Sequence, residues 1–186
     1  MEKLVVRCHE DIEKFCEERG ISIDEFNEPV EIPEGVKDCS FMFLGCRSFN
    51  QPVVIPDGVL DCHSMFDSCY RFNQHVIIPD GVVNCHSMFA GCISFNHLVT
   101  IPKGVEDCRD MFELCETFNH HIDIPDSVVD CGGMFYRCIS FNQPIKIPNS
   151  AINCDGMFEA CREFKQDVII PDSVKYAYNM FLGCNV

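Results

Sequence analysis

A motif of 23 residues recurs seven times along the chain, and this repetition constrains the fold more than any other feature. Copies follow one another without insertion or deletion, and each starts at a phenylalanine: Phe26, Phe49, Phe72, Phe95, Phe118, Phe141 and Phe164. A period of this size is typical of a solenoid, in which each copy forms one coil and buries its apolar face against the next coil. The 186 residues therefore predict one elongated domain.

The aligned copies indicate which repeat positions face inward. With the initial Phe as position 1, position 7 is always Ile, position 8 Pro, positions 17 and 18 Met-Phe, and position 21 Cys. Positions 5 and 7 alternate with variable positions 4 and 6, which predicts a short strand that the proline ends. Positions 14, 17, 18 and 21 have the spacing of one helical face, so we expect a helix of about two turns with Asp or Asn at position 13 as its N-cap. The predicted fold is an α/β repeat solenoid of seven strand–turn–short-helix coils over residues 26–186.

Residues 1–25 lie outside the repeats and are predicted to cover the first coil, because an open solenoid must cap its terminal coils. The segment "KLVV" can form a strand. The following charged segment places Ile12, Phe15 and Cys16 on one helical face, and Gly20 is a helix stop. The sequence therefore predicts a strand–helix cap at the N-terminus.

The seventh copy departs from the pattern of the others. It has Lys165 in place of Asn, Tyr176 in place of Asp or Asn, and Ala177 in place of Cys. Either these substitutions make the last coil self-capping, or its open edge meets a partner or a second copy of the chain. The second alternative predicts a homo-oligomer formed through the open C-terminal coil.

The repeat resembles a known family. The segments "IPDGV" and "IPDSV", each followed by Met-Phe and a cysteine, resemble the BspA-like leucine-rich repeat, which is also a 23-residue coil with IPxxV and AFxxC segments. The opening Phe-Asn-Gln resembles FNIP-type and related FNQ repeats. The resemblance covers residues 26–186 and implies a leucine-rich-repeat architecture whose usual role is a binding scaffold. The chain differs in having Met-Phe where Ala-Phe is usual, and in lacking the export signal common among BspA-like surface proteins.

Charge and hydropathy argue against two classes of partner. The net charge of −15 disfavours nonspecific binding to nucleic acid or to anionic membranes, which requires clustered Lys and Arg. No stretch approaches the 18 apolar residues of a membrane-spanning helix. The N-terminus is charged throughout and has no apolar signal-peptide core. We therefore expect a cytoplasmic or otherwise intracellular protein that contacts neither nucleic acid nor membrane directly.

The chain has fifteen cysteines, and most follow the inward register. Their spacing does not match the close pairs of zinc sites, and two cysteines seven apart on a helix are too distant for a disulfide. Small apolar thiols are readily buried, so we expect reduced cysteines, no cofactor and no metal. They would form two internal ladders, one of Cys39, Cys62, Cys85, Cys108, Cys131 and Cys154, and one running from Cys46 to Cys184.

Few residues suggest catalysis or metal binding. His75, His97, His120 and His121 share repeat positions 3 and 4 on nearby coils, and with Asp123 they could hold a metal ion. We favour exposed histidines repeated by duplication, because no close-spaced ligand motif accompanies them. The chain has no G-x-S-x-G, phosphate-binding loop or H-E-x-x-H motif. We therefore expect no enzyme, and a metal-binding or hydrolytic enzyme is a distant alternative.

The favoured function is a non-enzymatic scaffold for protein–protein interaction, because outward positions vary on a constant frame. Positions 4 and 6 of copies two to four predict a partly apolar strip on the strand side, with histidines at its edge. The other interpretation is that side chains from the flanking turns cover the strip. The predicted partner-binding residues are Val54, His75, Ile77, His97, Leu98, Thr100, His120 and His121.

A second hypothesis comes from the charge of −15 on a slender rod. Such a protein could be an acidic decoy, of a phage or viral type, that inhibits a nucleic-acid-binding protein by imitating its phosphate backbone. A mimic of this kind should repeat acidic residues in the same columns. Only position 13, and in part position 9, does so, and N-capping already explains position 13.

Overall fold

The structure is a computed structural model that describes residues 3–185. Met1 and Glu2 of the predicted cap, and Val186 of the seventh copy, lie outside the described residues. The chain is a repeat solenoid in which equivalent positions of successive copies lie side by side. No helix of the described part is both long and apolar enough to cross a membrane.

Regular secondary structure is concentrated at the N-terminus. Strand β1 spans Leu4–Val5, helix α1 spans His9–Arg19, a 3₁₀ helix spans Ile23–Glu25, and strand β2 spans Val30–Glu31. Strands β1 and β2 are parallel, so the predicted cap strand pairs with the first copy of the repeat.

Helix α1 has the face and the end that the sequence predicts. Ile12 and Cys16 are buried, and Phe15 packs edge-on against the ring of Phe26 in the first coil. Gly20 ends the helix in the left-handed region at φ 66°, where a residue without a Cβ is under no strain. The cap therefore covers the apolar side of the first coil.

The predicted helix at positions 14–21 is wrong: each coil has consecutive β-turns there. Positions 16 and 20 have a positive φ in all seven copies, whichever residue occupies them, as at Ser64, Ser68 and Leu114. A positive φ at these positions interrupts a right-handed helix, and it is the hallmark of a type II turn. Within each coil, the N–H of position 17 donates to the carbonyl of position 14, and the N–H of position 21 to that of position 18. The turns still direct positions 14, 17, 18 and 21 inward, so the apolar spacing matches that of a helical face.

The backbone groups that a helix would pair internally join neighbouring coils instead. In each of the first six copies, the N–H groups of positions 14, 16, 18 and 20 donate to carbonyls of the next copy, with N···O distances of 2.7–3.1 Å. These bonds run parallel to the solenoid axis, beside a series of parallel β-bridges at position 13. The bridges join Asp38, Asp61, Asn84, Asp107, Asp130, Asn153 and Tyr176 in order.

The predicted strand at positions 5–7 is only partly right. The expected alternation is present in the first six copies, since positions 5 and 7 are buried there and positions 4 and 6 are mostly exposed, as at Val53, Val54 and Ile55. However, β2 is the only strand at these positions in the described residues, and in the later copies no backbone hydrogen bond joins neighbouring coils through positions 3–8. We call positions 3–8 the extended segment of each coil. The inter-coil ladder lies on the turn side, where every second N–H points toward the next coil.

Two columns of stacked phenylalanine rings form the core. Rings of position 1 stack with centroid distances of 5.8–6.1 Å between neighbouring coils. Rings of position 18 stack at 5.3–5.7 Å. The two columns also contact each other, as between Phe66 and Phe72 at 4.2 Å. Because every ring of the two columns except Phe181 is fully buried, stacking of the coils is the main source of apolar burial.

Asparagine forms a second ladder at position 2. The side-chain Oδ1 of each Asn accepts the backbone N–H of position 2 in the next coil at 2.9–3.1 Å. Where position 3 is Gln, its Nε2 donates to the same Oδ1, as Gln143 does to Asn119. The Asn of the first six copies therefore replaces a main-chain ladder at the start of the extended segments.

The predicted N-cap residues at position 13 have a related role without a helix. In the first six copies, the Oδ1 atom of position 13 accepts the backbone N–H of position 15, as Asp61 accepts that of His63 at 2.8 Å. This is the local bond by which Asp and Asn stabilise turns. These side chains therefore fix the start of the tandem turns.

Candidate functional site

The extended segments of copies two to four expose large apolar side chains. Val54 is 79% exposed, Ile77 72% and Leu98 56%, and Thr100 is also exposed. We call these four residues the apolar strip. Three of the four occupy position 6, whose side chain points away from the core because positions 5 and 7 point into it. The flanking turns leave the three large side chains more than half exposed.

A groove of about 880 Å³ lies beside the C-terminal half of the strip. Leu98 and Thr100 form one part of its lining, and Asp80, Lys103 and His121 another. Val54 instead lines a smaller groove next to the cap. The structure therefore brings Leu98, Thr100 and His121 together, while Val54 lies apart from them.

The predicted histidines fall into two groups. His97 and His120 occupy position 3, where their Nε2 atoms donate to the backbone carbonyls of Asn73 and Asn96 at 3.1 Å. His97 and His120 take the place that Gln has in other coils, so they belong to the asparagine ladder at the start of the extended segments. His75 and His121 are exposed at position 4.

His121 lies between two acceptors. Its Nε2 is 3.1 Å from Oδ1 of Asp123, and its Nδ1 is 3.1 Å from the carbonyl oxygen of Pro144. Both hydrogen bonds form together only when the imidazole carries two protons. Within residues 3–185, no three His, Cys, Asp or Glu side chains come close enough to hold a metal ion.

Position 9 adds a row of charges that the sequence prediction did not include in the surface. The row consists of Asp57, Asp80, Lys103 and Asp126, one from each of copies two to five, and all four are exposed. No ion pair to any of them is formed by residues 3–185. Asp80 and Lys103 line the 880 Å³ groove together with Leu98 and Thr100, and Lys103 and Asp126 line the adjoining one. The sequence signal for this row was that position 9 varies although the proline just before it, at position 8, is the same in every copy.

Most of the buried thiols are poorly suited to chemistry. Burial raises the pKa of Cys39 to about 12, and burial likewise raises the pKa of Cys85 to about 12. Thiols with such a pKa stay protonated at neutral pH, and the thiolate is the nucleophile and the metal ligand. All fifteen cysteines are free, and most are buried in the two ladders. In the ladder at position 21, the thiol donates to the carbonyl of position 18 in the preceding coil with S···O distances of 2.9–3.1 Å.

On the turn side, a second groove of about 530 Å³ is lined by Asp110, Glu113, Tyr136 and neighbouring glycines. Burial raises the pKa of the Asp110 and Glu113 carboxyl groups, and nearby carboxylates add to the effect. His86 lies 3.7 Å from Asp110. The groove is shallow, and nothing in it resembles a nucleophile–base pair.

The seventh coil exposes side chains that are buried in the others. Ile170 at position 7 is 43% exposed, whereas the equivalent residues of the other copies are at most 9% exposed. Within the described residues, the backbone N–H groups of Ala177, Asn179, Phe181 and Gly183 have no acceptor, although the equivalent groups of the other copies donate to the next coil. The outer side of this coil therefore consists mainly of hydrogen-bond donors and apolar side chains.

Comparison with known proteins identifies the repeat. A family described as "Mycoplasma protein of unknown function, DUF285" matches residues 22–101 and 84–185. The chain belongs to this family. The two matches overlap and together cover the repeats, as expected where one motif recurs. Among curated proteins, none matches the chain.

Two solved structures are similar to the chain over most of its length. A leucine-rich repeat protein of T. pallidum, TpLRR, is 26% identical with a TM-score of 0.69, over 84% of this chain and 74% of that one. A leucine-rich repeat protein from Bacteroides ovatus ATCC 8483 is 25% identical with a TM-score of 0.70. The match covers 84% of this chain but only 41% of the Bacteroides chain. The resemblance to BspA-like leucine-rich repeats is therefore confirmed.

Proposed function

We propose that the protein is a non-enzymatic scaffold that binds another protein through the extended face of copies two to five. The observation that supports this most directly is the apolar strip. Val54, Ile77 and Leu98 are all more than half exposed in the middle coils, whose other extended-segment apolar residues, such as Val76 and Val99, are buried. Exposed apolar side chains that lie together and have a polar edge are typical of protein interaction sites.

The groups that hold the coils together are separate from the residues that form the exposed surface, and this separation supports the proposal. The phenylalanine columns and the asparagine ladder use positions that hardly vary, and the turn ladder uses backbone groups, whereas positions 4, 6 and 9 belong to none of them. Substitutions at those positions change the surface without changing the coil. This separation is the basis on which repeat proteins acquire binding specificity.

The acidic-decoy hypothesis has no comparable support. Its most regular acidic column is position 13, whose oxygen atoms accept backbone hydrogen bonds within the turns. The column also contains Asn84, Asn153 and Tyr176. A phosphate mimic needs repeated carboxylates that are available to a basic partner, and these are partly used within the fold.

Site-specific photo-crosslinking in a lysate of the source cell tests the proposed surface. A crosslinking amino acid is introduced at Ile77 or Leu98, and at Tyr70, which is exposed on another face, as the matched control. We expect the same adduct from the first two positions and not from the third. The adduct formed from position 77 should be lost when Leu98→Glu is also present. Equal adducts at all three positions, or adducts from Tyr70 alone, would contradict this surface.

A further inference from the structure

The extended face displays a second pattern beside the apolar strip, the position-9 row of Asp57, Asp80, Lys103 and Asp126. From copy two to copy five, the charges read negative, negative, positive, negative. Unpaired, exposed charges at one per coil form an ordered series along the solenoid axis. Leu98 and Thr100 of the strip line the same groove as Asp80 and Lys103 of the row, so a ligand lying there contacts both patterns.

The coil spacing favours an extended polypeptide as that ligand. Successive coils are separated by 5.8–6.1 Å at the neighbouring phenylalanine column. Two residues of an extended chain advance about 6.6 Å, which is close to the coil spacing. Alternate residues of the ligand therefore lie opposite successive coils, and the mismatch accumulates to about 2 Å over three coils. Alternate side chains point in opposite directions, so one set faces the strip while the other faces the position-9 row.

We propose that the partner of this surface is an extended segment of another protein, with apolar side chains at alternate residues and intervening charges that read basic, basic, acidic, basic along the groove. This inference rests on the proposed scaffold function and specifies its partner. The apolar residues cover Val54, Ile77 and Leu98. The charged residues pair with the position-9 row, where complementarity determines which segment binds and in which register.

A charge-swap experiment with defined peptides tests the proposal. The probe is the fluorescent peptide Val-Lys-Val-Lys-Val-Glu-Val-Lys, made in both chain directions, and the comparison peptide has Lys in place of Glu. Affinity is measured by fluorescence anisotropy against the wild-type chain and against Lys103→Glu. Lys175→Glu, on the exposed seventh coil, is the control for the same change in net charge.

The wild type should bind the Glu-containing probe more tightly than the all-Lys peptide, by about three- to tenfold in one chain direction. Lys103→Glu should reverse that preference, and Lys175→Glu should leave it unchanged. Methyl NMR should show peptide-dependent shifts at Ile77 and Leu98. The difference between the two peptides should shrink at high salt, because the charges are exposed.

Two results would overturn the proposal. If both peptides shift the Ile77 and Leu98 methyl signals but Lys103→Glu does not change which peptide binds more tightly, the position-9 row does not select the partner. If no peptide shifts these signals, the partner is not an extended segment of this type. In either case, a crosslinked adduct at positions 77 and 98 would show that the scaffold function itself still holds.

Discussion

The carboxyl group of Glu113 illustrates how a single residue responds to its place on the solenoid. Burial raises its pKa above the usual value, and the carboxylates of Asp110 and Asp67 raise it further. A carboxyl whose pKa is higher in the folded state favours unfolding once it ionises. Its effect on stability is therefore unfavourable at neutral pH and disappears in acid.

We expect Glu113→Gln to raise the melting temperature at pH 7, because the amide removes this cost. The gain should shrink as the pH falls through the raised pKa of Glu113 and should be absent below about 4, where the carboxyl is protonated in both states. Glu159→Gln is the matched control, because Glu159 has the same repeat position but a Gly at position 16 of its coil. Thermal unfolding across pH measures the effect, and a gain that does not change with pH would contradict the explanation.

The two cysteines of a coil differ in their bonding, although both are buried. Cys115 donates to the carbonyl of Phe89 at 3.1 Å, whereas Cys108 has no such hydrogen bond in the described structure. Cys115→Ala should therefore cost about 0.5–1 kcal/mol more than Cys108→Ala in the free energy of unfolding. Denaturant unfolding of both variants under reducing conditions measures this. Equal losses would show that the thiol bond contributes nothing.

At the scale of the structural element, the tandem turns depend on two left-handed residues per coil. Position 20 is Gly45, Gly91 and Gly183 in three copies, but Leu114 and Arg137 adopt the same positive φ. A residue with a Cβ is strained there by roughly 1 kcal/mol, and glycine is not. The turn side therefore contains positions where glycine fits the backbone better than the native residue.

We expect Arg137→Gly to raise the free energy of unfolding by about 0.5–1 kcal/mol, because Arg137 is exposed and its side chain adds little packing. The opposite change, Gly91→Val, should be destabilising, since a Cβ there would lie 3.2 Å from the Cα of Ser68 as well as being strained. Urea unfolding of both variants tests the pair. If these positions were helical, Arg137→Gly would instead be destabilising by about 1 kcal/mol.

At the scale of the whole molecule, stability comes from contacts between coils. Phe89 is fully buried and stacks on Phe66 at 5.6 Å and on Phe112 at 5.7 Å. Phe181, at the same repeat position in the last coil, stacks on Phe158 and is only partly buried. The same side chain therefore has neighbours on both sides in the middle of the solenoid and on one side in the last coil.

Phe89→Ala should cost about 3–5 kcal/mol, because it opens a cavity between two packed rings. Phe181→Ala should cost clearly less, because one side of its ring lacks a stacked neighbour. Chemical unfolding of the two variants, with a check that the transition stays cooperative, measures the difference. Equal losses would contradict the one-dimensional stacking of the coils.

The homo-oligomer expected from the sequence remains a prediction at this scale. The unpaired backbone groups of Ala177, Asn179, Phe181 and Gly183 are all donors, so two copies related by a two-fold axis would oppose donors to donors. Association would therefore depend on apolar side chains such as Ile170. Sedimentation equilibrium should show a concentration-dependent dimer that Ile170→Glu weakens at least tenfold, and a strictly monomeric wild type would contradict it.

The sequence alone determined the solenoid and its inward positions. Constant residues every 23 positions indicate equivalent coils, and burial of Phe, Ile, Val, Met and Cys at those positions agrees with the pattern. The exposure of Val54, Ile77 and Leu98 was also predictable, because a residue between two inward positions of an extended segment must point outward. These features follow from the local periodicity of the sequence.

Tertiary structure decided what local periodicity left ambiguous. Spacing of i, i+3, i+4, i+7 fits both a helix and the tandem turns, and the choice depends on whether backbone N–H groups bond within a coil or to the next coil. Neighbouring coils supply carbonyls within 2.7–3.1 Å, so alternate N–H groups bond between coils, and even Leu114 adopts a positive φ. The alignment of Asp80, Lys103 and Thr100 in one groove likewise depends on stacking, because these residues lie on different coils or across a turn. Residues brought together by hydrogen bonds 23 positions apart leave no local pattern that a single sequence can show.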